Sequence, residues 1–217
     1  MRDSLLIYSG GMDSTVLLHD RKDSIKLAVN FNYSSKHNER ERECAEMNAQ
    51  ALGIPLLKIN LGFINKYFKS NLLQSGGEIP EGHYEDESMK QTVVPFRNGI
   101  MLAIAVGLAE SNDLDTVLYA NHAGDHVIYP DCRRAFQVAM DEAAKQGTYN
   151  EVSVYSPYVN ANKRAIALLG KRLGVDFSKT YSCYKGGVTH CGMCGTCVER
   201  KEALLGFDTT VYEGERL

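Results

Sequence analysis

The sequence of 217 residues contains no apolar run long enough to cross a membrane. Its longest apolar run, residues 100–109, is far shorter than the roughly 20 residues that a membrane-spanning helix needs, and it indicates a buried helix. At the amino end, only residues 5–8 are consecutively apolar after Arg2 and Asp3, which is too few for a secretory signal. We therefore expect no membrane contact and a cytoplasmic protein.

The sequence also lacks a large excess of either charge. It has 24 lysines and arginines against 27 aspartates and glutamates, a net charge of −3. A domain that binds nucleic acid usually carries a clear basic excess. We therefore expect no stable binding of nucleic acid. The sequence shows no internal repeat, and its length suits one domain with at most a small appendage.

A glycine turn follows the first apolar run. Residues 4–8 predict a strand, residues 15–19 predict a helix, and Ser-Gly-Gly-Met-Asp-Ser at 9–14 lies between them. Such a turn directs backbone N–H groups and the positive end of a helix at one point, which favours an anion. The turn is neither a Walker A loop nor Gly-x-Gly-x-x-Gly. A simpler alternative is an ordinary helix start capped by Asp13 or Ser14.

Four cysteines near the carboxyl end form the pattern Cys-x7-Cys-x2-Cys-x2-Cys, interleaved with glycines. They are Cys183, Cys191, Cys194 and Cys197. The Cys-x2-Cys spacing gives the tight turn that a zinc ion requires, and four thiolates leave no open position for water. We therefore predict one structural zinc ion per chain. An iron–sulfur cluster or four unliganded thiols are the alternatives, and disulfides are not expected in a reducing cytosol.

Strand-like runs alternate with helical runs, which predicts an α/β fold with a mostly parallel sheet. We expect about five strands with helices on both faces. After the first strand, the predicted strands are 25–31, 54–59, 115–120 and 152–155, and predicted helices begin at Asn38 and cover 98–110, 132–145 and 163–173. Ligands bind at the carboxyl ends of the strands in such sheets. The loops after the first, second, fourth and fifth strands are therefore expected to carry the chemistry.

The chain divides into two predicted units. Residues 1–175 form the α/β domain, and residues 176–217 form a small zinc-binding subdomain. Segment 61–91 has weak periodicity and is long for a loop, which is typical of an insertion or lid. We expect it to form a partly ordered flap over the site.

Several motifs support a family resemblance. The turn at 9–15 resembles the PP-loop of the ATP pyrophosphatase (N-type) superfamily, whose fold is Rossmann-like, of the adenine nucleotide alpha hydrolase type. The whole chain resembles the 7-cyano-7-deazaguanine synthase (QueC) family. The further motifs are Phe31-Asn32-Tyr33 with His37, Val94-Pro95-Phe96-Arg97-Asn98, Tyr129-Pro130-Asp131-Cys132-Arg133, Lys163, and Ser182-Cys183-Tyr184. The chain departs from the family pattern at Phe96, where we expect glycine, and at 122–126.

The resemblance implies an enzyme of queuosine precursor synthesis, an ATP-dependent ligase that forms a nitrile. ATP with Mg²⁺ would adenylate the carboxylate of 7-carboxy-7-deazaguanine, and ammonia would displace AMP to give an amide. A second ATP would activate the amide oxygen, and loss of AMP would leave 7-cyano-7-deazaguanine. No glutaminase signature is present, so we expect free ammonia as the nitrogen source. A homodimer is also implied.

The resemblance also implies site residues. Arg97 and Lys163 would neutralise phosphate charge, and Asp131 would bind the guanine-like edge of the substrate. The predicted ATP-binding residues are Tyr8, Ser9, Gly10, Gly11, Met12, Asp13, Ser14, Thr15 and Asn98. The predicted substrate-binding residues are Tyr33, His37, Tyr129, Asp131 and Arg133. Arg133 would pair with the substrate carboxylate, and His37 is a candidate proton shuttle.

Two other functions remain open at this stage. One is a PP-loop enzyme that modifies tRNA by thiolation, a class that also adenylates a base oxygen and often carries zinc cysteines. The slight acidity and short length of this chain do not favour it. The other is a zinc-stabilised nucleotide-binding module without catalysis.

Overall fold

Five parallel strands form one sheet within residues 3–214, the part of the chain that the computed structural model describes. The order of strands across the sheet is β3-β2-β1-β4-β5. The strands are β1 (Ser4–Ile7), β2 (Ile25–Asn32), β3 (Leu56–Asn60), β4 (Thr116–Leu118) and β5 (Ser153–Tyr155). The predicted α/β fold with a parallel sheet is confirmed.

Helices connect the strands and continue to the carboxyl end. They are α1 (Met12–Asp20), α2 (Asn38–Ala51), α3 (Phe63–Tyr67), α4 (Arg97–Ser111), α5 (Arg134–Gly147), α6 (Lys163–Leu173) and α7 (Gly195–Ala203). Short 3₁₀ helices lie at Glu87–Thr92, Ala123–His126, Pro130–Cys132 and Phe177–Lys179. In the described part of the chain, the helices are all too short or too polar to span a bilayer.

Two apolar cores lie on the two faces of the sheet. Leu5 enters the core that α4 and α5 cover, whereas the next residue, Leu6, enters the core that α1, α2 and α6 cover. This alternation follows from the period of two in a strand. The central strand β1 is apolar after Ser4 because it is covered on both faces. The prediction of helices on both faces is confirmed.

The strand order creates a crevice between β1 and β4. The chain runs from β1 towards β2 and β3 on one side, and β4 and β5 extend the sheet on the other side. Connections therefore leave the carboxyl ends of β1 and β4 in opposite directions, and ligands bind at such a point in open α/β sheets. The glycine turn at 9–14 directly follows β1 and lies at this position.

Some element boundaries differ from the predictions. Strand β3 begins at Leu56 instead of residue 54, because Pro55 has no N–H to donate to the sheet. Helix α5 begins at Arg134 instead of Cys132, since residues 130–132 form a separate 3₁₀ turn and Arg133 is extended, with φ −69° and ψ 150°. Strand β4 ends at Leu118, where the chain leaves the sheet for the crevice.

Segment 61–91 is fixed to the rest of the molecule near both of its ends. The Lys36 ammonium donates to the carbonyls of Asn71 at 2.6 Å and Gly77 at 2.6 Å, which closes the first half of the segment around it. The backbone N–H of Gly82 donates to the carbonyl of Met193 at 3.2 Å, next to the cysteine cluster. The segment thus joins the sheet edge to the carboxyl-terminal region.

Arg200 fixes the carboxyl-terminal region from within. Its side chain is fully buried. Its guanidinium donates to the carbonyl of Phe177 at 2.7 Å and to the hydroxyls of Thr180 at 2.9 Å, Ser182 at 3.0 Å and Thr210 at 2.8 Å. A buried guanidinium is costly unless its donors are satisfied. These bonds therefore tie α7 to the chain on both sides of the cysteines.

Candidate active site

The glycine turn is shaped by its contact with helix α2. Gly10 has a φ of +93°, and a Cβ there would lie 2.1 Å from the carbonyl oxygen of Glu41. Only glycine fits at this position, because the left-handed conformation and the helix backbone both exclude a side chain. The Gly10 carbonyl in turn accepts from the N–H of Tyr181 at 3.2 Å. The turn is thus held between α2 and the carboxyl-terminal region.

Helix α1 begins without the side-chain cap that the simpler alternative requires. Gly11 is the residue before the helix, and no side chain caps it. The hydroxyls of Ser14 and Thr15 donate back to the Gly11 carbonyl at 3.2 and 2.9 Å. Asp13 points elsewhere, to an ion pair described below. The first N–H groups of α1 therefore face the cavity without a capping carboxylate.

The residues predicted for ATP binding in this turn divide into two groups. Ser9, Gly11, Asp13 and Ser14 line the cavity. Tyr8 lines it as well, although its side chain is buried and its hydroxyl lies 3.1 Å from that of Thr15. The side chains of Met12 and Thr15 are buried beneath the turn, with Met12 in the core between α1 and the sheet.

Lys163, the first residue of α6, reaches the turn from the other side of the crevice. Its Nζ lies 2.7 Å from Asp13 Oδ2 and 3.3 Å from Glu199 Oε2. Burial alone lowers the pKa of Lys163, but Asp13 and Glu199 outweigh it and raise the pKa above its ordinary value. Burial raises the pKa of Asp13, and Lys163 more than reverses this, so the pKa of Asp13 is lowered. Both partners of the ion pair are therefore charged.

Arg97, the first residue of α4, lines another part of the same cavity. Its Nη1 donates to the Tyr33 hydroxyl at 2.9 Å, and its guanidinium carbon lies 5.3 Å from the centre of the Tyr33 ring. The preceding residue, Phe96, has a φ of +54°. Glycine adopts this left-handed conformation most readily, which fits the glycine that we expected there from the resemblance. The Phe96 ring packs edge-on against Phe136 at 5.7 Å.

Asp131 acts on the start of helix α4. Its Oδ2 accepts from the backbone N–H of Asn98 at 2.8 Å, and the Asn98 side chain donates to the Asp131 carbonyl at 3.3 Å. A carboxylate from a distant part of the chain thus caps this helix. Asn98 lines the cavity, whereas Asp131 lies behind it. The predicted contact of Asp131 with the substrate edge stays a prediction.

The predicted substrate residues are only partly brought together. Tyr33, His37 and Tyr129 line the cavity. Arg133 does not: its side chain is exposed, and its Nε donates to the carbonyl of His126 at 3.0 Å. The role predicted for Arg133 therefore has no support from its position.

Tyrosines that the sequence analysis did not select complete the wall near Tyr129. The Tyr184 hydroxyl lies 3.4 Å from that of Tyr129 and 3.5 Å from that of Tyr84. The Tyr84 hydroxyl donates to Asp125 Oδ1 at 2.9 Å. Tyr84 comes from segment 61–91, so this segment contributes to the cavity as a flap would. Burial raises the pKa of Tyr84 and Tyr184, and both hydroxyls are neutral donors.

Glu41 is a further cavity residue that the sequence analysis did not select. Its Oε2 lies 3.6 Å from His37 Nε2, and burial raises its pKa to about 8. Burial and then Arg97 lower the pKa of His37 to about 3, so His37 is neutral at physiological pH. The His37 ring stacks on Tyr184 with 5.2 Å between centroids. A titratable carboxyl group therefore lies between the glycine turn and the tyrosine wall.

The four clustered cysteines fit a tetrahedral metal site. All four are buried, and their sulfur atoms lie within 4.8 Å of one another. The sulfurs of Cys191 and Cys197 are 3.9 Å apart, close to the edge of about 3.8 Å that four sulfurs at 2.3 Å from zinc would have. Backbone N–H groups of Cys191 and Cys194 point at sulfurs, as they do around thiolates. The cluster can hold a metal ion.

Comparisons with known proteins agree with this geometry. The family model described as "Queuosine biosynthesis protein QueC" matches residues 3–208. The chain is 57% identical over 216 residues to a 7-cyano-7-deazaguanine synthase of Porphyromonas gingivalis, with 98% of each chain covered. It is 50% identical to one of Desulfotalea psychrophila, with 98% and 99% covered. The chain belongs to the QueC family. It is therefore a member of a family of enzymes named for queuosine biosynthesis.

A solved structure shares the fold. The chain is similar to NMN synthetase from Francisella tularensis with a TM-score of 0.51 and 12% identity, over 87% of this chain and 69% of that one. At this identity the likeness supports the fold alone. The QueC assignment rests on the sequence relatives, which span nearly the whole of both chains.

Proposed function

We propose that this QueC-family protein converts 7-carboxy-7-deazaguanine and ammonia to 7-cyano-7-deazaguanine, using two molecules of ATP. The match to the QueC family over residues 3–208 carries the proposal. The position of the glycine turn at the crevice between β1 and β4 supports it, because the turn presents N–H donors where nucleotides bind. The comparisons do not favour the tRNA-thiolating alternative.

In the first stage the substrate carboxylate oxygen attacks the α-phosphorus of ATP. A C–O–P linkage forms, the bond between the α-phosphorus and the bridging oxygen breaks, and pyrophosphate leaves. Residues 9–14 would bind the β- and γ-phosphates, and Lys163 would neutralise charge as it develops. Ammonia then adds to the acyl carbon, loses one proton, and displaces AMP to give the amide.

In the second stage the amide oxygen attacks another ATP in the same way and releases pyrophosphate. The nitrogen then loses two protons while AMP leaves with the electrons of its C–O bond, and the nitrile remains. AMP leaves readily because its phosphate is a stabilised anion, whereas hydroxide is a poor leaving group. The protein contributes mainly positioning and electrostatic stabilisation.

Both stages need a proton acceptor beside the reacting nitrogen. We propose Glu41 for this role, because it lines the cavity and its pKa of about 8 matches the task of a general base. His37 Nε2 lies 3.6 Å from Glu41 Oε2.

The heterocyclic substrate requires polar groups beside aromatic surfaces. Tyr119 and Asn121 both line the cavity, and in the described part of the chain the Tyr119 hydroxyl and the Asn121 Oδ1 are buried without a hydrogen-bond partner. A buried polar atom is costly unless it is satisfied. A guanine-like ring stacked along the tyrosine wall would supply donors and acceptors for these atoms.

Magnesium would enter with ATP, and the donor set fits it. Asp13 Oδ1 is buried without a hydrogen-bond partner among the described residues, although Oδ2 of the same carboxylate is paired with Lys163. Carboxylate and phosphate oxygens are the ligands that Mg²⁺ prefers. Asp13 would hold it, and the bound ion would withdraw charge from the phosphates.

We also propose that the metal at the cysteine cluster is zinc, in a closed structural site. The cluster lies in the region that supplies Tyr181 and Tyr184 to the cavity and Glu199 to the ion pair with Lys163. The division of the chain at residues 175 and 176, the homodimer and the cytoplasmic location stay predictions.

The direct test supplies ATP, Mg²⁺, ammonium and 7-carboxy-7-deazaguanine. Mass spectrometry should detect the nitrile, with AMP and pyrophosphate as the other products. Release of ADP in place of AMP would contradict the proposal, and accumulation of the amide alone would remove the second activation from it. A nucleotide-binding module without catalysis would release neither AMP nor pyrophosphate.

A further inference from the structure

The two cationic side chains in the cavity differ in how their charge is balanced. Lys163 has carboxylates at 2.7 and 3.3 Å. For Arg97, within residues 3–214, we find the Tyr33 hydroxyl as hydrogen-bond acceptor and no carboxylate within 4.0 Å. A guanidinium has five N–H donors and stays charged in proteins. Arg97 therefore presents an unbalanced charge and free donors to the cavity.

Among the described residues, no neighbouring acid forms an ion pair with Arg97, although burial is outweighed by Tyr33, Tyr184 and Asp131, which raise its pKa through longer-range electrostatics. Asp131 is held behind the cavity wall, with Oδ2 bonded to the Asn98 backbone at 2.8 Å. Glu41 has a pKa of about 8 because it is buried, so its carboxyl group is largely protonated at neutral pH. The anion that matches Arg97 therefore has to come from a ligand.

We propose that Arg97 is the counter-ion of the substrate carboxylate, and that it selects an acid for the first activation. This inference rests on the proposed function and adds a specificity-determining residue to it. A carboxylate matches the planar fork of a guanidinium and accepts two parallel hydrogen bonds. The Tyr33 hydroxyl and ring hold the guanidinium in one orientation, which makes the fork ready for its partner.

The surroundings of Lys163 and Arg97 indicate that the two cations bind different anions. Lys163 is joined to the glycine turn through Asp13, so it lies where the phosphates of ATP are expected. Among the described residues, we find no hydrogen bond between Arg97 and residues 9–15. Arg97 instead shares its part of the cavity with Tyr33, His37 and Tyr184. An aromatic wall suits a planar heterocycle better than a triphosphate.

The sequence analysis selected Arg133 to bind the substrate carboxylate, and the position of Arg133 does not support this role. Its side chain is exposed, bonded to the His126 carbonyl, and absent from the cavity wall. An exposed ion pair contributes little to binding. The geometry therefore assigns the carboxylate to Arg97.

The test separates the two activation stages in Arg97→Gln, using the full-length, metal-loaded protein with ATP and Mg²⁺. One assay starts from 7-carboxy-7-deazaguanine and measures acid-dependent AMP release. The other starts from the corresponding amide, which carries no charge, and measures the nitrile. We expect the first rate to fall about 100-fold or more, as for loss of one partner of a buried charge pair, and the second to change by less than about 5-fold.

Two further variants keep this test decisive. Arg97→Lys retains the cation but loses the planar fork, so we expect a smaller loss in the acid assay and again no loss in the amide assay. Arg134→Gln is the control. Arg134 is an exposed arginine that lies near cavity residues in the sequence, and its substitution should leave both rates unchanged. Conversion of the amide by Arg97→Gln would show that this variant is folded. If Arg97→Gln does not fold, the comparison of the two assays in Arg97→Lys tests the inference instead.

Three results would overturn the inference. An equal loss in both assays would mean that Arg97 serves the nucleotide, since both stages use ATP. A selective loss of the acid assay in Arg133→Gln would return the carboxylate to Arg133. Unchanged rates in Arg97→Gln would remove Arg97 from the site altogether. Failure of the proposed function looks different, because the unmodified protein would then release no AMP from either substrate.

Discussion

Lys163 and Arg97 each stand at the first residue of a helix and face the same cavity, yet their surroundings differ. Around Lys163 lie Asp13 and Glu199, which balance its charge before any ligand binds. Around Arg97 lie aromatic rings, with the Tyr33 hydroxyl as its hydrogen-bond partner. One cation is thus part of a closed ionic cluster, and the other is available to an anion.

The difference suggests how a single cavity can hold two kinds of anion. On the proposed function, phosphates would arrive with magnesium and many charges, which suits surroundings that contain acids as well as a cation. The substrate would bring one carboxylate, which a single guanidinium can balance. Reaction would then remove that carboxylate charge, and the second stage would proceed with a neutral amide in the same place.

The largest effect is expected from Lys163→Met, which removes the cation from the ionic cluster with Asp13 and Glu199. The substitution leaves Asp13 and Glu199 buried without their cation, which costs about 3–5 kcal/mol of stability, and both assays should fall by a factor of about 1,000 or more. Denaturant unfolding and AMP release measure the two effects. Lys22→Met, at an exposed site, is the control. Loss of the acid assay alone would contradict the comparison, because it would give Lys163 the role proposed for Arg97.

Cys194→Ser should disturb the surroundings of both Lys163 and Arg97. It removes one thiolate from the cluster, and the metal contributes to the folding of such a region. We expect loss of bound zinc and a thermal midpoint lowered by about 10 °C or more, since a loss of a few kcal/mol shifts midpoints by this amount.

Metal analysis and calorimetry check this expectation. Cys44→Ser is the matched control, because Cys44 lies in α2 and outside the cluster. Full metal content in Cys194→Ser would mean that the four-thiolate assignment is wrong. A brown, iron-containing protein would replace zinc by an iron–sulfur cluster.

Glu41→Gln should change how stability depends on pH. The folded state raises the pKa of Glu41 from 4.5 to about 8, so its contribution is present below pH 4.5 and is lost as the pH rises towards 8. We expect the free energy of unfolding of the unmodified protein to fall relative to that of Glu41→Gln, on the order of 2 kcal/mol between pH 5 and 8.

Urea unfolding across this range measures the difference between the two proteins. Subtraction removes the contributions of His37, Arg97 and the other neighbours of Glu41, which both proteins share. Glu43→Gln is the control, because Glu43 is more exposed on the same helix. Parallel curves for Glu41→Gln and the unmodified protein would mean that Glu41 titrates normally.

The smallest effect is expected from Tyr33→Phe, which tests whether the surroundings of Arg97 serve the acid and not the nucleotide. The ring stays, but the hydroxyl that orients the guanidinium is lost, at a cost of about 1 kcal/mol. The KM for the acid should rise about 5-fold with little change for the amide. A KM for ATP that rises instead would place the nucleotide at Arg97.

The sequence was most informative where the chemistry is local. The strand, glycine turn and helix at residues 4–20 are contiguous, so their pattern predicted these elements. Helix α6 has the bounds that its periodicity predicted, 163–173. The cysteine spacing predicted a cluster that the structure brings together. In each case neighbouring residues contain the whole signal.

The sequence contains a signal for the position of Glu41 that the sequence analysis did not use. It lies in a charged run with several other glutamates, and its residue type does not distinguish it. The helical phase does: Glu41 precedes the buried residues Ala45 and Ala49 by one and two turns, so it shares their face. A buried position for a glutamate is unusual unless it serves a function.

Tyr84, Tyr184 and Glu199 carried no such signal. Tyr84 lies in a segment without periodicity, and Glu199 is adjacent to the fully buried Arg200 in a helix that contains several charges. Their positions depend on how the carboxyl-terminal region packs over the crevice. Such tertiary contacts join distant parts of the chain, and no local pattern predicts them. The position of Arg133 outside the cavity wall has the same origin, because the direction of its side chain depends on the 3₁₀ turn before it.

The hydrogen bond from Tyr181 to Gly10 has a consequence for the newly made polypeptide. A ribosome synthesises the glycine turn among the first residues, but Tyr181, which holds the turn, emerges near the end of translation. A nascent or truncated product that stops before Tyr181 presents this turn half-built. Such a product lacks the backbone contact that holds the turn from its carboxyl-terminal side.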